Sequence, residues 1–247
     1  MAQSGPIEHE ARTNARQGRT PRGKAVNDTA IVTRLHDAIV QRRLEPGTKL
    51  GEEALCEVFG VSRAQIRRVL LNLAHAKLVE LRPNRGAYVA QPSVREARHV
   101  FEARRAIETA VIERAANRIT EDKISELESI VREDGLAQER GDKEAAVRLS
   151  GEFHLCLARI AGNEVLLAFL RELVSRSSLI IATYGMAEES DCSVEDHGAL
   201  IEALRLGDAA AAASLMTTHL DYLEQRLQFT SPSEPAVDLK AILGATR

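Results

Sequence analysis

The sequence predicts a mainly α protein, with an N-terminal winged helix-turn-helix followed by an all-α antiparallel six-helix bundle. Three observations carry that expectation. Apolar residues recur at helical spacing along most of the chain, and β-like runs stand only within residues 78–90. The composition is rich in Ala and Leu, with aromatics at 3% and no Trp, which favours helix over sheet. A chain of 247 residues is long enough for two modest domains with full cores. The expected divisions are an arm over 1–26, the winged unit over 27–92, the bundle over 93–229 and a flexible tail over 230–247.

Residues 1–26 mix Gly, Pro, Asn, Gln and Arg without periodicity, the composition of a disordered, mildly basic arm. Asn27, Asp28 and Thr29 open a helix with Ile31, Leu35 and Ile39 inward, and Leu44-Glu45-Pro46-Gly47 ends it. Leu50, Ala54, Leu55 and Val58 then repeat at helical spacing as far as Phe59-Gly60. Ser62 with Gln65 reads as a capping box, so another helix starts at Ser62, directly after the turn at Gly60. It buries Ile66, Val69, Leu70 and Leu73 and turns Arg63, Arg67 and Arg68 outward. Residues 78–82 and 87–90 are strands flanking Pro83-Asn84-Arg85-Gly86.

Two helices joined by a tight Gly turn and followed by a hairpin make a winged helix-turn-helix, whose second helix reaches base edges in a major groove. A basic helix face that is merely solvated is the competing explanation. Cap, turn, basic face and basic-tipped hairpin agree in order, and they favour DNA, with Ser62, Arg63, Gln65, Arg67, Arg68 and Arg85 as the contacting residues.

Charge is distributed to match. The net charge of −3 conceals five Lys/Arg against two Asp/Glu in residues 1–26, ten against seven in 27–92, and 18 against 27 in 93–247. A basic front and an acidic back fit phosphate contact at one end and argue against general nucleic-acid coating. Cys56, Cys156 and Cys192 are too few and too scattered for a disulfide framework or a zinc ribbon, so a reducing cytoplasm is the expected setting. No apolar run approaches the roughly 18 residues of a membrane helix, and the N-terminus lacks the apolar core of a signal peptide.

Beyond Gln91-Pro92, Ser93 and Glu96 form a second capping box, and helices are expected to about Ile119, Arg140, Ala161, Tyr184, Gly207 and Phe229. Gly141-Asp142, Gly162-Asn163 and Asp208 mark the breaks, with a looser stretch from Gly185 to Cys192. In the tail, Leu239 to Leu243 could dock. His154, His197 and His219 each align with the apolar face of a different helix. A lone inward His is usually a satisfied core residue, but three from three helices of one acidic bundle point to a shared divalent metal.

The chain resembles GntR-family transcription regulators of the FadR subfamily, which carry an FCD effector domain. The front half matches in Leu44-Glu45-Pro46-Gly47-Thr48-Lys49-Leu50, in Phe59-Gly60-Val61-Ser62-Arg63 with Ile66-Arg67, and in residues 82–86. The back half matches in residues 104–108, Phe153-His154, Ala161-Gly162-Asn163, Asp196-His197, Leu206-Gly207-Asp208 and Met216 with His219-Leu220. The resemblance implies a one-component metabolite sensor that binds a near-palindromic double-stranded DNA operator as a homodimer and usually represses a neighbouring catabolic operon. It implies base contacts from Arg63 and Arg67 and a minor-groove contact from Arg85. Family members generally have Thr-Pro where this chain has Ala64-Gln65, and Glu where it has Arg68, which bears on the base sequence read.

The resemblance further implies metal ligation by an Asp and three His, here His154, His197 and His219, with the Asp position occupied by Ser150. A hydroxyl is a far poorer ligand than a carboxylate, so a Zn, Ni or Mn ion would bind more weakly or recruit another group. Glu152 lies roughly 160° round the helix, while Cys192 and Asp196 flank His197 as alternative replacements, neither preferred by spacing. By the same resemblance Arg104 reaches an effector pocket, where it would clamp a small organic acid, with Glu108, Ser150 and Asn163 beside it. The competing readings are that Arg104 pairs with Glu108 and that Asn163 caps a helix. At the level of function, the alternatives are a metal-dependent enzyme built on the His cluster and a regulator whose back domain only dimerises. No His-Glu-x-x-His motif, phosphate loop or nucleophile elbow supports the enzyme.

Overall fold

A computed structural model describes Met1 and residues 27–185, 192–229 and 239–244; the expected arm lies outside the described residues. The N-terminal unit comprises α1 (Asp28–Val40), β1 (Lys49–Leu50), α2 (Glu52–Phe59), α3 (Arg63–His75), β2 (Val79–Arg82) and β3 (Gly86–Val89). Asn27 caps α1 by accepting from the Ala30 amide, and Ser62 caps α3 by accepting from the Gln65 amide. Between α2 and α3, Gly60 adopts φ 64°, the left-handed conformation that a side chain disfavours, and this makes the turn abrupt.

The hairpin is wider than the sequence suggests. The sheet is three-stranded in the order β1-β3-β2, wholly antiparallel, with Lys49 opposite Tyr88 and Leu50 opposite Ala87. The expected helical role of Leu50 is therefore corrected: Leu50 is strand, Gly51 caps α2, and the helix begins at Glu52. Only two residues pair in β1, too short for a period-2 pattern to register.

The back half consists of α4 (Val94–Ala116), α5 (Glu121–Glu139), α6 (Lys143–Ala161), α7 (Glu164–Tyr184), α8 (Cys192–Arg205) and α9 (Ala209–Gln225). The last ends sooner than the expected Phe229. Ser93, Thr120, Asp142, Asn163 and Asp208 each cap the following helix through a side-chain oxygen. The bundle core gathers Val111, Ile112, Phe153, Leu157, Leu170, Leu200, Leu204, Met216 and Leu220.

Several contacts join the halves, among them Arg42 donating to the Ile181 carbonyl and Arg43 Nε 3.4 Å from Glu144. Leu179 of α7 is buried in the N-terminal core, and His36 Nε2 of α1 lies 2.8 Å from Ser175 Oγ of α7. Within the expected tail, α10 (Leu239–Gly244) buries Leu239 and Leu243 in that same core, against α2 and α1. No helix among the described residues is long and apolar enough to cross a membrane.

Candidate DNA interface and buried histidine site

The α3 helix buries Ile66, Val69, Leu70 and Leu73, which fixes its opposite face outward. Arg63, Arg67 and Arg68 are exposed there, and Arg85 is exposed at the tip of the β2–β3 hairpin. Asn84, at φ 58°, and Gly86, at φ 96°, make the bend that presents it. Ser62 is exposed at the cap, while Gln65 is half-buried beside it.

None of the three helix arginines is bare. Arg63 Nη2 donates to Glu53 at 3.3 Å, Arg67 Nε donates to Glu52 at 2.9 Å, and Arg68 Nε donates to Asp28 at 3.0 Å. The carboxylates come from the first turns of α2 and α1, where the helix dipole favours negative charge. Nothing local in the sequence marks Glu52, Glu53 and Asp28 as the partners of these arginines. Helix-start acids are ordinary, and no local spacing says which cation they will meet.

Inside the bundle, α4, α6, α8 and α9 bring Arg104, Glu108, His154, His197 and His219 together, all buried. Arg104 Nε donates to Glu108 Oε1 at 2.7 Å, and its Nη1 donates to Ser177 Oγ at 3.0 Å. The other oxygen of Glu108 lies 2.5 Å from His154 Nδ1. Burial alone would raise the Glu108 carboxyl, but the adjacent Arg104 guanidinium overrides it and holds the group down at about 2. Burial pushes His154 down to about 4 and His197 well below the usual imidazole range, so both are neutral near pH 7.

A carboxylate only accepts, so the hydrogen bonds fix tautomers. Glu108 places the His154 proton on Nδ1, and Asp196, 3.0 Å from His219 Nδ1, does the same for His219. Each leaves Nε2 as the ring's lone-pair nitrogen. His219 Nε2 and both nitrogens of His197 are buried without a hydrogen-bond partner, as is Arg104 Nη2. His197 stacks on Phe153 at 4.0 Å between centroids. One nitrogen from each of the three histidines lies within 4.8 Å of the other two.

These residues fit a divalent cation. They offer three imidazoles from three helices, and carboxylates orient two of the rings from behind. Among the described residues that group contains no Cys, Asp or Glu. Asp196, one of the two alternative replacement ligands, holds His219 from outside, and the side chain of the other, Cys192, lies outside the described residues. Ser150 is half-buried, one turn before His154. Asn163 spends its side-chain oxygen on the Val165 and Leu166 amides, the capping role weighed for it from sequence. Arg104 makes the pair with Glu108 weighed for it from sequence, and its Nη2 is buried without a hydrogen-bond partner.

A winged helix-turn-helix joined to a helical bundle is the architecture of a DNA-binding transcription regulator. Residues 27–89 match the family model of bacterial regulatory proteins, gntR family, and residues 99–222 match that of the FCD domain. The chain belongs to the GntR family and carries an FCD domain, which places it among DNA-binding transcription regulators rather than enzymes. The HTH-type transcriptional repressor RspR of Escherichia coli is 29% identical over 191 residues, spanning 77% of this chain and 84% of that protein. The galactonate operon transcriptional repressor of Escherichia coli is 28% identical over 222 residues, spanning 80% and 95%. Among solved structures, E. coli McbR/YncC shares the fold, with a TM-score of 0.71 at 20% identity over 80% of this chain and 97% of that one.

Proposed function

We propose that the chain is a cytoplasmic repressor that binds a near-palindromic operator as a homodimer and responds to a small carboxylate held in its bundle. In this reading α3 lies in the major groove, with Arg63 and Arg67 at base edges, Ser62, Gln65 and Arg68 alongside, and Arg85 of the wing in the minor groove. Repression is favoured because both relatives described above are named repressors.

The observation that carries the sensing half is the buried Arg104 Nη2 without a partner beside histidine nitrogens in the same condition. Such atoms are costly to bury and are accounted for by an anionic, metal-associated ligand. His154, His197 and His219 would hold a Zn, Ni or Mn ion, and Arg104 would clamp the carboxylate, with Glu108 orienting Arg104 and His154. When bound, the ion would supply a Lewis-acidic centre for carboxylate oxygen. Ser150, one turn from His154, leaves that side of the site without a fixed negative charge, which favours an anionic effector.

The test is a screen of carboxylates against operator binding by fluorescence anisotropy, using wild type and Arg104→Lys. Lysine keeps the charge beside Glu108 but loses the planar fork. Operator affinity should be retained and the carboxylate response lost. A full response in Arg104→Lys, or no response to any carboxylate in wild type, would overturn the sensing assignment.

A further inference from the structure

The three arginines on α3 are held in different ways, and the difference bears on which of them reads a base. Arg68 is engaged along its side, with Nε 3.0 Å from Asp28 Oδ2 and Nη2 3.4 Å from Oδ1, so this guanidinium straps α3 to the start of α1. Arg63 makes a single long contact through Nη2, at 3.3 Å to Glu53. Arg67 is held through Nε alone, which donates to Glu52 Oε1 at 2.9 Å and Oε2 at 3.0 Å. Its terminal edge, formed by Nη1 and Nη2, has no hydrogen-bond partner among the described residues. The Arg67 side chain is 66% exposed, so that edge is available to a ligand from outside.

Guanine presents O6 and N7 side by side in the major groove, and the two terminal nitrogens of a guanidinium match that pair. A long, free arginine must surrender several rotamers to make the match, whereas one already fixed at Nε surrenders fewer. An ion pair this exposed contributes little to folding stability, so its geometry is better accounted for by what it does to Arg67 than by the fold.

We propose that Glu52 is a positioning residue for base reading. It grips Arg67 from the side and presents the terminal edge of the guanidinium to one guanine in each half-site. This rests on the operator-binding reading above. Glu52 itself touches no base. Its removal leaves the charge on Arg67 intact and frees its direction, so selectivity at one base pair falls while the phosphate-driven part of binding stays.

The experiment is in vitro selection from a random-sequence duplex library with the full-length wild type, Glu52→Gln, Arg67→Ala, the double variant and Glu57→Gln. Glu57 lies on the same helix and pairs with Lys240, so its variant controls for lost charge on α2. The enriched duplex is then titrated with guanine replaced by 7-deazaguanine at each position in turn. Wild type should prefer a guanine that Arg67→Ala no longer distinguishes. Glu52→Gln should lose most of the preference at that same base pair, about tenfold on the scale of a single bidentate contact. It should add nothing in the Arg67→Ala background, and Glu57→Gln should match wild type. An even loss across all positions in Glu52→Gln, or full retention of the preference that Arg67→Ala loses, overturns the proposal while leaving operator binding in place. Failure of wild type to enrich any sequence overturns both.

Discussion

His197→Leu is expected to stabilise the metal-free protein while abolishing its response to metal. His197 is 1% exposed, and neither ring nitrogen has a hydrogen-bond partner. Each buried donor or acceptor left unmade costs about 1–3 kcal/mol. Replacing the ring also removes the stack on Phe153, at 4.0 Å and 17°, for which about 0.5–1.5 kcal/mol is a fair allowance. Leucine is close in volume and carries no polar atom, so with two such nitrogens the net metal-free gain is on the order of 1–5 kcal/mol. At about 2–4 °C per kcal/mol for a chain of this size, the melting temperature should rise accordingly. The assay is scanning calorimetry of both proteins after dialysis against chelator, repeated with zinc. Zinc at a hundred times its dissociation constant adds about 2.7 kcal/mol to wild type. In His197→Leu, with one of three ligands gone, the same zinc should add little. A metal-free variant that melts below wild type, or one that gains as much from zinc, would refute the reasoning that these nitrogens are held open for a ligand.

Glu108→Ala should be among the most damaging single substitutions in the bundle. It strands the Arg104 guanidinium without a carboxylate and should cost about 3–5 kcal/mol, read from the midpoint of urea unfolding. It also releases the His154 ring, so zinc affinity in a chelator competition should fall by about 10–100-fold. Leu243→Ala tests whether α10 belongs to the N-terminal core. Leu243 is 1% exposed there, and its truncation should cost about 2–5 kcal/mol in a thermal melt, whereas a free tail would give no change. His36→Ala removes the contact to Ser175 between α1 and α7. Operator affinity without effector should be nearly unchanged, and the effector's effect, whose usual size is about 5–150-fold, should shrink several-fold in an anisotropy titration.

What the sequence made legible was whatever depends on local pattern. Caps at Ser62, Ser93, Asp142 and Asp208, the Gly60 turn and the inward faces carrying His154, His197 and His219 are all set by residues within one or two turns. What it hid depends on partners far along the chain. The pairing of β1 with β3 spans about forty residues and only two positions, so Leu50 read as helix. Asp196 was a candidate ligand because it adjoins His197, yet its partner is His219, 23 residues on. Periodicity gives the side of a helix on which a residue lies. It does not give which residue of another helix lies opposite, and on that the roles of Glu52, Asp196 and Ser177 depend.

An effector at Arg104 can alter the reader only if the two domains share an element that its two states hold differently. That element is α7. Ser177 accepts from Arg104 Nη1 inside the site, and Ser175, two residues earlier on the same helix, meets His36 of α1. Two residues turn a helix by about 200°, so the two serines face opposite sides, one toward Arg104 and the other toward the DNA-binding domain. Leu179, one turn beyond Ser175, is buried in the N-terminal core, and α1 in turn packs against α3. A ligand that draws Arg104 away from Ser177 therefore acts on a helix whose far side grips the scaffold of the recognition helix. The route is short, and it is stiff because every joint is a buried or half-buried contact within packed helices. On the proposed effector reading, the unpaired atoms beside Arg104 and the inter-domain contacts on the far side of α7 would be two ends of one element, and His36→Ala tests that link.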